Sequence, residues 1–452
     1  MFRPVQNFIS SLTDVTEQGY ESFLKKPLFF LGDHGKKVGG MFLWLPRRQA
    51  ACVYGGLLWV VPIAIAWQFQ SLYMVRLGLS ETELGVYQGL MNLVGLVFYF
   101  VGGYVADFWG RHRALVTFDA LSWGGYCLCM SLADNKWWCL GALFFMAVNA
   151  ASGPAYLGLL TEGIDRRKSA VVFSVLQITN MAPFALFFPL LGGLWVEQNG
   201  FLKANHEMYW FFSACIGLGV FLRWRLLPPS SIFQKAPRSL WQALGEGFDQ
   251  YWQALRKFLK LPGAGELLAS KVIDEWIIAV WGTYSAIYYV KQMGMRDSNL
   301  SVIQQGSTYV GMVILFMLIP NLTPRFMVRI LGMDQLLGLG AMGVLLVTGT
   351  VNSNPLLVCL IAAGLGSVGN SLYNSVNVSV WMNLMKEKER AKLVAASYAL
   401  IKIGLMTTSL AGVLYGKISP QSLLWVMMAL RVAGFLLLRR VSKIRTALAL
   451  KA

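Results

Sequence analysis

The chain has 452 residues, of which 56% are apolar and only 13% are charged, and its mean hydropathy is +0.54. Soluble domains do not carry that balance, and a β-barrel is disfavoured because the apolar runs are continuous rather than alternating. A formal charge of +17 would suggest nucleic acid in a soluble protein, so the placement of the charges has to decide what they are for.

Residues 1–27 mix polar and apolar types and do not open as a cleavable signal peptide. Within them Val5, Phe8, Leu12, Val15, Phe23 and Leu24 keep a helical period. The segment 4–24 reads as a helix on the membrane interface beside Lys25 and Lys26, with a partner-binding arm as the alternative. A hydrocarbon core about 30 Å thick takes about 20 helical residues to cross. Hydropathy places about twelve such spans near 51–76, 83–106, 114–133, 137–160, 170–195, 208–227, 266–290, 300–320, 332–350, 355–384, 394–416 and 421–439. The expectation is an all-α integral membrane protein with a first six-span body at 51–227 and a second at 266–441. Around them lie an interfacial segment 1–50, a linker 228–265 and a basic tail 442–452.

Between the second and third spans the chain runs Gly103-Tyr-Val-Ala-Asp107-Phe-Trp-Gly110-Arg111-His-Arg113, preceded upstream by Leu77-Gly78-Leu79-Ser80 and Gly85. This is a tight charged turn between two membrane helices. Arg111 and Arg113 suit a helix C-terminus, whereas Asp107 does not and needs a cationic partner or a helix N-terminus elsewhere. The pattern resembles the loop motif of the major facilitator superfamily. That resemblance implies two six-helix bundles related by a pseudo-two-fold axis, and transport of a solute by alternating access. It also implies that Asp107 and Arg111 are gating residues that latch the two bodies, with the helix end near Arg390 as the opposing element. Gly103, Gly110, Arg113, Glu162 and Arg167 belong to the same gating set, because Glu162 and Asp165-Arg166-Arg167 close the fourth span and open the fifth on the same side.

Farther along, two marks of drug-exporting relatives are incomplete. Trp138–Leu160 holds no basic residue, and the fifth span has Phe188-Pro189-Leu190-Leu191-Gly192-Gly193 in place of a run that begins with glycine. The linker carries a second amphipathic stretch, 240–259, through Leu240, Leu244, Phe248, Leu255 and Phe258, expected to lie on lipid or under the bundle. An internal repeat is visible at an offset of about 220 residues, pairing Asp165-Arg-Arg167 with Lys388-Glu-Arg390 and Arg111 with Arg329.

An ionisable group at the bilayer centre costs several kcal/mol, so each one is a functional candidate. Asp119, Lys271, Asp274, Glu275 and Lys402 are candidates for proton coupling, and Arg431 sits midway along the last span. Lys271 and Glu275 share a helix face, with Asp274 beside them. A partly desolvated carboxylate takes up a proton more readily, which suits a proton carrier. Neutral polar residues form a seam: Asn370, Asn374 and Asn377 at spacings of four and three on the tenth span. The family resemblance implies that the first, fourth, seventh and tenth spans line a cavity. On that basis Gln68, Gln70, Asn149, Ser152, Tyr156, Trp281, Tyr284 and Tyr288 join the asparagines as candidate solute contacts. The alternative for these groups is glue between helices.

The charges sort by side. Starting from a cytoplasmic N-terminus, about 30 of the 39 Lys and Arg fall in cytoplasmic segments and about 6 outside. This asymmetry sets both termini in the cytoplasm of a cell-membrane protein, with anionic lipid headgroups rather than nucleic acid as partners. All six cysteines lie in or beside apolar spans, and His34, His112 and His206 lie outside the spans, so no metal, cofactor or disulfide is expected. The sequence is read as a monomeric, proton-coupled carrier of a small organic solute and not an enzyme. A transport-inactive sensor and a lipid-handling relative are the rivals.

Overall fold

A computed structural model describes residues 44–164, 166–228, 255–318, 324–348, 354–384 and 387–449, with isolated positions 40, 249, 252 and 253. Segment 4–24 and most of 240–259 lie outside the described residues, as do the side chains of Asp107, Arg167, Asn377 and Arg390. The described chain is helical and groups into twelve rods. The first is α1, Arg47–Arg76, followed by α2, Glu81–Trp109. Next, α3 comprises Arg111–Asp119 and Gly125–Ser131 joined by a π-helical turn, and α4 comprises Lys136–Val148 and Ser152–Thr161 joined by a 3-10 turn. Then come α5, Arg166–Ala185 and Phe188–Asn199, and α6, Phe201–Leu226. The second set is α7, Ala264–Lys291; α8, Asn299–Leu318; α9, Pro324–Thr348; and α10, Pro355–Leu384. It ends with α11, Glu387–Met406 and Thr408–Val413 running into a π-helical turn, and α12, Pro420–Ala449.

Among the described residues, eight rods are long and apolar enough to cross a membrane by length and composition. The others, α3, α6, α7 and α8, carry charged or amide residues within their length. Those polar residues are also why hydropathy placed several ends short. The helix α6 begins at Phe201, ahead of 208, and takes in His206; α9 begins at Pro324, α11 at Glu387, and α12 runs through the expected tail to Ala449. A helix satisfies its backbone internally whatever its side chains are, so it continues past the apolar window into the interface.

Local chemistry sets the rod ends. Helix α2 starts with a reciprocal cap in which Ser80 Oγ accepts from Glu83 N at 3.2 Å and Glu83 Oε2 accepts from Ser80 N at 2.9 Å. It stops at Gly110, whose φ of 87° and ψ of 141° suit glycine and strain any other residue. The second glycine of the loop motif is therefore a requirement of the backbone.

Three apolar cores hold the rods. The largest joins α1, α3, α4 and α6 to α7 and α11 through Phe69, Tyr73, Tyr209, Tyr284 and Tyr415. A second gathers Cys52, Leu115, Leu159 and Leu227 at the foot of the first six rods. The third collects Leu267, Leu331 and Leu438 at the foot of the last six, and there Leu255 and Phe258 from the end of the linker are buried. That end of the amphipathic stretch thus packs under the bundle. Between the two sets of six, α2 lies along α11 and α5 lies against α8.

Each set also buries an ion pair between its third and sixth rods. In the first, Arg223 of α6 binds Asp119 of α3, with the guanidinium 3.8 Å from the Trp59 ring of α1. In the second, Arg431 of α12 binds Asp334 of α9 at 2.7 Å and, from α7, Asp274 at 3.1 Å. The positions match, but an aromatic ring in one set is replaced by a second acid in the other. Such pairs are weak net stabilisers, yet removing one partner strands a buried charge at about 3–5 kcal/mol.

Candidate functional site

A cavity of about 390 Å³ lies among α5, α7, α8, α9, α10 and α12. Its polar lining is almost wholly uncharged: Gln177 and Asn180 of α5, Gln304 and Thr308 of α8, and Asn370 and Asn374 of α10. Helical spacing brings Asn370 and Asn374 together, and Asn374 Nδ2 donates to Asn370 Oδ1 at 2.9 Å. Trp281 and Tyr289 of α7 supply aromatic wall, with ring centroids 5.8 Å apart in an edge-to-face arrangement. Arg431 is the one charged side chain among the described lining residues.

Of the cavity candidates read from sequence, Trp281, Asn370 and Asn374 line this space, and the others with described side chains sit elsewhere. Gln68 is buried and donates to Ile65 O at 2.9 Å and Pro189 O at 3.3 Å, satisfying carbonyls where α1 and α5 bend. Gln70 is half-buried in α1. Asn149 Oδ1 accepts from Ser152 at 3.1 Å and Ser122 at 3.4 Å, a knot between α4 and α3. Tyr156 lies 5.6 Å from Arg223, and Tyr288 is core beside Trp281. Tyr284 spans the two sets: its hydroxyl donates to Glu81 O at 2.9 Å and its ring stacks on Tyr415.

The coupling candidates separate into distinct groups. Asp119 belongs to the buried pair with Arg223. Asp274 lies within electrostatic reach of Glu275, beside which the sequence placed it, but the two bond in different directions. Asp274 turns to Arg431 and accepts from Gln335 Nε2. Glu275 instead accepts from Tyr373 OH at 3.3 Å and lies within electrostatic reach of Lys271 and Lys402. Lys402 donates to Asn92 Oδ1 of α2 at 2.9 Å, so this acid is one residue removed from a contact between the two sets of rods. Neighbours in sequence point apart here because α7 presents one face to α9 and α12 and another to α10 and α11. Asp334, Gln335 and Arg223 went unrecognised in the sequence.

At the end where α2 begins, the two sets are fastened together. Lys291 binds Glu81 at 2.5 Å, Arg76 binds Asp297 at 2.8 Å, and Thr82 donates to Gly412 O at 3.3 Å. Deeper along the same seam, Thr283 donates to Gln88 at 2.9 Å, and Tyr99 stacks on Tyr398 with centroids 4.4 Å apart. Gly85 explains its place upstream of the loop motif, because a Cβ there would stand 2.6 Å from Gly412 Cα.

At the opposite end, the loop-motif charges meet within the first set. Glu162 binds Arg48 at 2.9 Å and Arg111 at 3.6 Å, and Gln49 donates to Glu162 O at 2.9 Å. Arg111 also donates to Gly158 O at 3.4 Å, lying where a side chain at 158 would collide with it. Among the described residues, Arg111 and Glu162 join α1, α3 and α4 to one another; the side chains at the start of α11, the opposing element expected from the sequence, lie outside the described residues. Arg113 is exposed, and Gly103 faces open space.

The sequence of residues 49–367 matches the family model described as Major Facilitator Superfamily. No curated protein matches. Among solved structures, a mutant of the nucleoside transporter NupG superposes with a TM-score of 0.64 at 13% identity, over 87% of this chain and 99% of that one. The POT family transporter PepTSo gives 0.65 at 11% identity, over 90% and 99%. The human organic anion transporter MFSD10 gives 0.62 at 12% identity, over 87% and 99%. At these identities the likeness is one of fold.

Proposed function

The chain belongs to the Major Facilitator Superfamily and is a multi-pass membrane transporter, and from that premise we propose that it carries a small organic solute by alternating access, coupled to protons. The observation behind the reading is the amide-lined cavity walled by α5 of the first set and by the second set, closed at one end by the Glu81, Arg76 and Gly412 contacts. With the positive charges on the cytoplasmic side, the fastened end is the outer gate, all twelve rods cross the cell membrane, and both termini are cytoplasmic. Segment 228–265 links two six-helix bodies that rock about the cavity. Glu275 is the coupling acid: it is buried beside Tyr373, and its neighbour Lys402 holds Asn92 across the seam. Gain or loss of a proton there alters the charge felt by a residue that ties the bodies together. The Arg48–Glu162–Arg111 cluster stiffens the foot of the first body, which swings as a unit.

The test uses purified protein in liposomes enclosing a pH-sensitive dye, challenged with nucleosides, peptides and organic anions, the solutes named for solved structures that share this fold. A solute-evoked proton flux in the wild type that disappears in Glu275→Gln, with normal insertion of the variant, is the expected result. No evoked flux and no exchange with any of the three classes would remove the transport mechanism proposed.

A further inference from the structure

The cavity presents polar side chains in helical pairs from three rods. Gln177 and Asn180 stand three residues apart on α5, Asn370 and Asn374 four apart on α10, and on α8 Gln304 Nε2 donates to Thr308 Oγ1 at 3.0 Å. Spacings of three and four put each pair on one helix face. The α5 pair belongs to the first body and the other two to the second, so a solute held among them touches both. Within the α10 pair the bond from Asn374 Nδ2 uses Asn370 Oδ1, which leaves the Asn370 nitrogen as a donor beside the Asn374 oxygen as an acceptor. Ser367 and Ser371 also line the space, but their hydroxyls lie against α8, where a Cβ at Gly311 would stand 2.6 Å from each. Those two serines pack the helices together.

The charge in the wall is already answered. Arg431 donates from Nη1 to Asp334 at 2.7 Å and to Asp274 at 3.1 Å, both inside the second body, and its Nε is buried. The two aspartates are each 1% exposed and do not line the space. Among the other described lining residues there is no lysine, aspartate or glutamate. A carboxylate, phosphate or ammonium entering here would lose its water with no counter-ion to meet it, which is costly. A hydroxyl is received differently, since its one oxygen both donates and accepts and an amide offers both partners. Trp281 and Tyr289 add aromatic wall, the apolar surface that suits the carbon faces of a ring.

We propose, on the strength of the transport reading above, that the cavity takes an uncharged polyhydroxylated ring, the class of free sugars, cyclitols and nucleosides, bridged between Gln177 and Asn180 of the first body and Gln304, Asn370 and Asn374 of the second. Adjacent hydroxyls of such a ring match the donor and acceptor that Asn370 and Asn374 hold side by side. Phosphorylated sugars, amino acids and peptides carry charges that nothing in the described lining meets, so the site rejects them. Because both bodies grip one solute, its binding favours the arrangement in which they approach each other. With Glu275 as the coupling acid, a neutral solute moving with a proton carries net positive charge, and transport responds to membrane potential.

Solutes that share a skeleton and differ in charge test the class by calorimetric titration of the detergent-purified full chain. The sets are glucose with glucosamine and glucuronate, myo-inositol with its monophosphate, and uridine with uridine monophosphate. At least one neutral parent is expected to bind, about tenfold or more tightly than its charged relatives. Gln177→Leu from the first body and Asn374→Leu from the second should each weaken that binding about threefold to tenfold, the loss of one hydrogen bond between neutral groups, with the melting temperature of the unliganded chain unchanged. Asn180→Leu and Asn370→Leu repeat the test from the same two bodies if either variant misfolds. The proposal is overturned if no neutral parent binds, if a charged relative binds as tightly as its parent, or if the variants of either body bind as the wild type does. Neutral binding without flux in liposomes would keep this site and remove the transport reading. Flux of a peptide or organic anion with no neutral parent bound would do the reverse.

Discussion

Replacing Gly85 by alanine places one methyl group at a close approach of α2 and α11. The new carbon would stand 2.5 Å from the Tyr284 hydroxyl, 2.6 Å from Gly412 Cα and 2.8 Å from Gly412 N, whereas carbon contacts settle near 3.5–4.0 Å. The Gly412 atoms are backbone, so even if the Tyr284 ring gives way no rotamer change relieves the whole clash, and the rods must part by about 1 Å. Overpacking of this kind costs about 1–3 kcal/mol, and here the cost falls on the arrangement in which α2 and α11 touch. At about 1.4 kcal/mol per factor of ten, the closed-to-open ratio drops by about 5-fold to about 140-fold. Alanine in place of glycine favours the helix itself by up to about 1 kcal/mol, so a melted α2 does not account for lost flux. Spin labels at Asp134 and Lys417, exposed positions in opposite sets of rods, should show longer separations in the variant, with slower transport and an undiminished melting temperature. An unchanged distance distribution together with normal transport would show that the Gly85–Gly412 contact closes nothing.

Other changes probe the supporting structure. Asp119→Asn should strand the Arg223 charge and destabilise by about 3–5 kcal/mol, lowering the melting temperature sharply in detergent; adding Arg223→Gln should recover much of the loss, and an additive second loss would contradict the pairing. Gly110→Ala forces a Cβ onto a backbone with φ of 87°, and about 1–3 kcal/mol of destabilisation is expected from thermal unfolding. Glu162→Gln removes the charge that Arg48 and Arg111 share. Hydrogen exchange should quicken at the foot of α1 and α4 but not in α7 to α12, and protection unchanged throughout would show that the cluster holds nothing.

Much of the architecture was legible because apolar length carries it. The seventh span, read as 266–290, is Ala264–Lys291 in the structure, and the tenth is Pro355–Leu384. The asparagine stripe was visible because one helix supplies both Asn370 and Asn374 at a fixed spacing. What escaped was whatever depends on the facing rod. Asp334 is the third residue of the span read as 332–350 and so passes for its charged boundary, and Arg223 beside Arg225 has the pattern of cations that snorkel to an interface. Only the packing of α3 on α6, and of α9 on α12, makes these residues buried partners. Gln68 and Tyr284 were polar groups on rods expected to face a cavity, but rotation about the rod axis, which hydropathy does not set, turns them to backbone carbonyls instead. Asp274 and Glu275 part company for the same reason.

The chain crosses from one body to the other between two buried anchor points, Leu227 at the foot of the first and Leu255 with Phe258 at the foot of the second. Residues 228–254 separate the two anchors. Fully extended at about 3.4 Å per residue, such a strand reaches about 90 Å, far beyond any rocking motion. A connection of that length leaves the bodies to find each other through their own faces, α2 along α11 and α5 against α8. A gene cut inside that stretch, leaving Leu227 and Leu255 with their respective partners, should yield two polypeptides that reassemble into one working molecule.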